Sequence, residues 1–184
     1  TYFLVGLSMA AMESTLVLYM ADVFDWGIKQ TSFGFAYVGI TMAITQGLIV
    51  RKIIPILGEA KVLFLSLVLF TIGMLGIAFS SDMWGLGISM TLLSVGVGLT
   101  NPSLLGMISL LSPSETKGEA LGVAQSLSSL GRILGPLAGG FIYAYTMTGP
   151  FLFAGAVGVV CWLLVITYRH LLPQSGREKH AVHT

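Results

Sequence analysis

The chain has 184 residues, 55% of them hydrophobic and 9% charged, with a formal net charge of +1 and a mean hydropathy of +0.90. Soluble domains carry charge on about a quarter of their residues, so this composition excludes a soluble globular domain. No basic stripe is available to neutralise a phosphate backbone, which argues against nucleic acid as a partner. The single cysteine excludes an intrachain disulfide.

The natural counting unit is an apolar helix of about 20 residues, the length that crosses a hydrocarbon core of about 30 Å. Six such spans are predicted, at 2–21, 32–50, 62–80, 84–107, 119–145 and 150–169. Residues 1–172 are thus expected to form one six-helix bundle, and the polar segment 173–184, PQSGREKHAVHT, a cytoplasmic tail. The first span enters an apolar run directly from Thr1, without the basic region of a signal peptide, and reads as a cut from a longer protein. It carries Glu13 near its middle.

Thr31 or Ser32 can cap the second span, in which Tyr37, Thr41 and Thr45 recur at i, i+4 and i+8. This stripe either faces a polar interior or, for the threonines, bonds back to its own helix. The third and sixth spans are almost wholly apolar and are expected at the lipid-facing periphery, the sixth with Pro150 in its first turn.

Ser81 or Asp82 can cap the fourth span, where Met90, Ser94, Gly98 and Asn101 form a weak polar stripe. Pro102 frees a backbone carbonyl one turn earlier and predicts a kink. Asn101 either satisfies that exposed backbone or meets a substrate. Ser112-Pro113-Ser114-Glu115 reads as a capping box that starts the fifth helix before its apolar part. On that helix Gly118, Gly122, Gln125, Ser129, Arg132, Pro136 and Gly139 follow one face, while leucines cover the others. With strand periodicity absent and small residues that let membrane helices approach closely, an all-α integral membrane bundle is predicted.

With the N-terminus in the cytoplasm, Arg51, Lys52, Lys61, Lys117, Arg169, Arg177 and Lys179 fall inside and only Lys29 outside. Both termini are therefore predicted cytoplasmic.

Glu13 and Arg132 are the two ionisable side chains well inside the spans. Each costs about 2.5 to 3.5 kcal/mol to insert and needs a polar partner, a watery cavity or a route to the interface, and each is a candidate partner for the other. Glu13 is read as a carboxylate that binds and releases a proton as access alternates, or as half of a structural ion pair. Arg132 stays charged; it attracts an anionic group, holds a carboxylate, or bonds backbone carbonyls.

No nucleophile with a base, no HExxH, no intramembrane aspartate pair and no GxxxxGK[ST] occurs, so catalysis, a metal site, a cofactor and ATP hydrolysis are not expected. Short outer loops without a filter-like segment disfavour a channel. Sparse polar groups near the midplane and interrupted helices fit a secondary transporter better.

Three stretches resemble the major facilitator superfamily, in particular the C-terminal half of bacterial drug:proton antiporters of the multidrug or tetracycline type. Gly47-Leu48-Ile49-Val50-Arg51-Lys52 with Gly58-Glu59-Ala60-Lys61 is similar to the family's cytoplasmic loop motif without its aspartate. Gly96-Val97-Gly98 to Pro102, then Ser109, Pro113, Glu115, Gly118 and Ala120-Leu121-Gly122, is similar to its fourth-to-fifth helix junction. Gly131-Arg132-Ile133-Leu134-Gly135-Pro136-Leu137-Ala138-Gly139-Gly140 matches the antiporter signature G-x-x-x-G-P-x-x-G-G.

This resemblance implies one half of a twelve-helix fold built from 3+3 inverted repeats. Spans one and four would line a central cavity, spans two and five would meet the other half, and spans three and six would stay outside. It implies proton-coupled export of small amphipathic compounds by alternating access, across a cell membrane that is the inner membrane of a bacterium. Glu13 would be the coupling or substrate site, and Arg132, Gln125, Asn101 and Tyr37 would shape the cavity. Gly131, Gly135, Pro136, Gly139, Gly140 and Pro102 would serve packing and hinge motion. The partners would be protons, a small solute, the lipid bilayer, and a missing N-terminal six-helix half or a second copy of this chain. A carrier for a sugar, peptide, siderophore or other metabolite, and a six-helix half-transporter working as a homodimer, are the alternatives.

Overall fold

The computed structural model describes residues 1–168, and every described element is helical. The helices are α1 (Tyr2–Phe24), α2 (Ile28–Ile44), α3 (Val50–Leu57), α4 (Glu59–Phe79), α5 (Met83–Leu111), α6 (Lys117–Tyr145) and α7 (Gly149–Thr167). A π-helical segment, Thr45–Ile49, joins α2 to α3 without a break, so Ile28–Leu57 is one 30-residue rod. The predicted tail, with Arg169, Arg177 and Lys179, lies outside the described residues.

Five segments are long and apolar enough to cross a membrane: α1, Ile28–Leu57, α4, α5 and α7. The sixth, α6, has the length at 29 residues, but carries Arg132, Gln125, three serines and repeated glycines. It is the least apolar crossing of a six-helix bundle, and its sequence suits contact with protein rather than lipid.

Several helix ends differ from their sequence signals. The second rod starts at Ile28 behind Gly27 rather than at a Thr31 or Ser32 cap, because the turn after α1 is short. Asp25 closes α1 in the left-handed conformation, and the Asp25 and Trp26 amides bond back to Ala21 and Met20. The Ser112–Glu115 capping box does not form. Ser112 caps the end of α5 with its hydroxyl donating to the Ile108 carbonyl, and α6 starts only at Lys117. Asp82 does cap α5, accepting from the Gly85 amide at 3.3 Å. The motif expected as a loop around Arg51-Lys52 is helical to Leu57, and the chain turns at Gly58, whose φ of 79° suits glycine.

The core joins α1, α4, α5 and α7. Val5, Met9, Met12, Leu16, Tyr19 and Met20 of α1 meet Leu63, Leu67, Phe70, Met74 and Ile77 of α4, with Met90, Leu93, Val97, Leu104 and Met107 of α5. Six of the nine methionines in the sequence are buried there: Met9, Met12, Met20, Met74, Met90 and Met107. Tyr19 ties three helices together, its ring edge-on to Phe151 of α7 at 4.8 Å and its hydroxyl donating to the Ile77 carbonyl of α4 at 3.1 Å.

Helices α4 and α5 close on small residues. A Cβ on Gly73 would stand 2.6 Å from the Leu93 amide, and one on Gly96 2.5 Å from that of Phe70. Thr100 donates to Ser66 across the same contact at 2.9 Å. The uniformly apolar α4 thus has one face deep in the core, while Phe64, Leu65, Ile72 and Phe79 point outward.

Candidate functional site

The pairing of α1 with α6 is set by an alternation of small residues on both. Along α6 only Ala124, Ser128, Gly131, Gly135 and Gly139 are buried, a narrow stripe at helical spacing. A Cβ on Gly131 would lie 2.5 Å from the Phe3 carbonyl and 2.8 Å from the Leu7 amide. One on Gly135 would lie 2.7 Å from the Leu7 carbonyl, and one on Gly139 2.7 Å from that of Ala11. Gly6 reciprocates against Ser128. Contact order rises together along both chains, so the two helices run parallel with their backbones touching.

Polar side chains gather along one flank of this seam. Tyr2 donates to the Gln125 side-chain carbonyl at 3.3 Å, and the Arg132 guanidinium acts through its charge on both Tyr2 and Glu13. Gln125, Arg132 and Glu13 are all exposed on the bundle surface. Gly131 lies level with Phe3 and Leu7, and Gly139 with Ala11, so Glu13 sits beyond Arg132 by about two helical turns, roughly 10 Å. No ion pair joins Glu13 to Arg132 among the described residues. Further along, Tyr143 donates to the Asp22 carboxylate at 2.7 Å and fastens the other end of the seam. The arrangement places a carboxylate and a guanidinium, each without an ion-pair partner among the described residues, on one flank of an apolar bundle.

The predicted polar face of α6 divides: Gly139 belongs to the packing stripe, and the remainder is offset from it. Gln125, Ser129, Arg132, Pro136 and Gly140 are exposed, and a Cβ on Gly118, Gly122 or Gly140 would meet nothing within 4 Å. The hydroxyls of Ser126 and Ser129 bond back to the carbonyls of Gly122 and Gln125.

Tyr37 and Asn101 belong to the α2–α5 side of the bundle. Tyr37 shares a 2.6 Å hydrogen bond with Thr91, while Thr45 bonds back to the Thr41 carbonyl at 2.8 Å. The Met90, Ser94, Gly98 stripe is buried, and Ser94 returns its hydrogen bond to Met90. Asn101 is half-buried and makes no side-chain hydrogen bond among the described residues, and α5 remains helical through Pro102. No group of three His, Cys, Asp or Glu side chains that could hold a metal occurs among the described residues.

Sequence reading passed over Tyr2, Thr91 and the Asp22–Tyr143 pair. Tyr2 had a usable signal: it precedes Glu13 by eleven residues, about three full turns, and so shares its face. The partners of Thr91 and Asp22 lie 54 and 121 residues away, beyond any local pattern.

A bundle of membrane-crossing helices, closed on glycine seams and carrying an exposed carboxylate and guanidinium on one flank, has the make-up of a membrane transporter domain. The Major Facilitator Superfamily model matches residues 1–183, and the chain belongs to that family.

Among curated relatives it is 27% identical over 173 residues to the class H tetracycline resistance protein of Pasteurella multocida, covering 92% of this chain and 43% of that protein. It is 29% identical to major facilitator superfamily domain-containing protein 10 of Mus musculus, covering 96% and 39%. It is 27% identical to the quinolone resistance protein NorA of Staphylococcus aureus, covering 91% and 43%. The chain thus spans about two fifths of the length of these relatives. The crystal structure of the human organic anion transporter MFSD10 superposes with a TM-score of 0.82 at 26% identity, over 89% of this chain and 38% of that one. A peptide transporter POT, at 18% identity and a TM-score of 0.80, shares the fold. The six helices correspond to one half of the family's fold.

Proposed function

We propose that this chain is half of a secondary active transporter that exports small amphipathic compounds in exchange for protons, by alternating access. The observation that carries the reading is Glu13: a carboxylate in the middle of a membrane-crossing helix, exposed on the bundle surface and unpaired with Arg132. Such a group can exchange a proton with whichever side the site opens to. The resistance proteins among the relatives support export of drug-like solutes. Helix α6 and the Ile28–Leu57 rod keep most of their surface uncovered, which supports their meeting an N-terminal six-helix half or a second copy. The positions of Arg51, Lys52, Lys61 and Lys117 support cytoplasmic termini, and the bacterial resistance proteins among the relatives support a bacterial inner membrane.

The experiment is proton-driven efflux by the complete transporter carrying Glu13→Gln. Loss of uptake and efflux coupling to a pH gradient, with substrate binding retained, is the expected result. Unchanged transport and pH dependence removes Glu13 from the mechanism.

A second reading rests on Arg132, an exposed guanidinium with no carboxylate bonded to it among the described residues. It suits an anionic solute, in keeping with the similarity to the human organic anion transporter MFSD10. Competition of efflux by organic anions, abolished in Arg132→Gln, distinguishes this reading from the first.

A further inference from the structure

We infer that Thr45 of the π-helical segment and Gly98 of α5 form a shared pivot, about which the Arg51-Lys52 end of the second rod swings relative to the rest of the bundle. Over Ile28–Leu57 the buried residues are Thr31 and Thr45 alone. The rod is therefore fixed at few points. On one side of Thr45 it is held by the Tyr37–Thr91 bond of 2.6 Å and by Gly34, which packs against Met20, Trp26 and Met90. On the other side α3 has no buried residue and Ile56 is 79% exposed, so this end is held chiefly at the buried Gly58 joint, which bonds to Ile54 and Val62.

Both helices have a weakened backbone ladder where they touch. In the rod, the π-helical turn Thr45–Ile49 replaces the tighter α-helical bonding, and the Thr45 hydroxyl draws on the Thr41 carbonyl as well. In α5, Pro102 has no N–H to offer the carbonyl four residues back, which is that of Gly98. Gly98 is also the contact: a Cβ there would stand 2.8 Å from Thr45 Cγ2 and 2.9 Å from Thr45 Cβ. A π-helical turn is seldom kept without a role, and a glycine facing a β-branched side chain gives a contact that can roll without interlocking. The two helices thus lose resistance to bending at one height. The inference goes beyond the transport reading and does not depend on the solute carried.

The test uses the complete transporter in lipid vesicles, with spin labels at exposed Ile56 and Phe79, and a control pair at Phe33 and Phe79. The Ile56–Phe79 distances are expected in two populations whose ratio responds to pH or solute, while Phe33–Phe79 gives one. Pro102→Ala returns a donor to the Gly98 carbonyl without adding bulk, and should shift the population ratio by roughly threefold to tenfold. Gly98→Ala should leave a single Ile56–Phe79 population, and adding Thr45→Ser should restore the second. A single population in the unsubstituted protein, or a ratio unmoved by Pro102→Ala, overturns the pivot whatever the transport assays show.

Discussion

Arg132 and Glu13 stand on parallel, touching helices, yet about two turns apart, so that their charges interact without an ion pair. With no ion pair between them and both groups on the exposed flank, their attraction is bounded at about 1 kcal/mol. A double-mutant cycle of Glu13→Gln and Arg132→Gln, read on thermal unfolding of the purified protein, should give a coupling below that bound. A coupling of about 3 to 5 kcal/mol would mean a direct buried pair instead.

Glycines on α6 separate into two kinds. Alanine at Gly131, Gly135 or Gly139 sets a methyl group against the backbone of α1, which cannot yield as a side-chain end does. Each substitution should cost about 1 to 3 kcal/mol of stability. A Cβ on Gly140 meets nothing within 4 Å, so Gly140→Ala should leave stability unchanged or raise it by up to about 1 kcal/mol. Lost transport by Gly140→Ala at unchanged stability would locate a surface that Gly140 meets outside this chain. Thermal unfolding and efflux measured on the same preparations separate the two cases.

The tyrosine hydroxyls should also separate. Tyr19→Phe removes a buried bond to the Ile77 carbonyl, which still accepts from the Ser80 amide at 3.2 Å, so the cost should be about 1 kcal/mol. Tyr143→Phe releases an exposed Asp22 carboxylate that water can solvate, and should cost less than about 0.5 kcal/mol. A larger loss for Tyr143→Phe than for Tyr19→Phe in detergent-solubilised protein would contradict the placement of the core.

Much of the architecture was legible because lipid demands long apolar helices, and runs such as Leu63 to Phe79 and Phe151 to Ile166 have no other use. Helix ends were less legible. The Ser112–Glu115 signal fits a cap, but Ser112 is used to finish α5, since its hydroxyl reaches back to Ile108 before α6 begins. Facing was the hardest. A helix apolar all round, such as α4, gives no moment to orient it, and only the fit of Gly73 and Gly96 to opposing backbones reveals its core side. For the site, charge in a membrane span singled out Glu13 and Arg132 at once. Their separation could not be read, because it depends on the stagger set by Gly131 and Gly139 against Phe3, Leu7 and Ala11.

The six buried methionines give the interior an unusual mechanical character. Branched side chains lock into one fit, whereas an unbranched thioether has three free torsions and re-seats against a displaced neighbour. With Met9, Met12 and Met20 on one helix facing Met74, Met90 and Met107 on two others, the filling behaves more like putty than like masonry. A change in the mutual tilt of these helices can then be absorbed without opening voids between them.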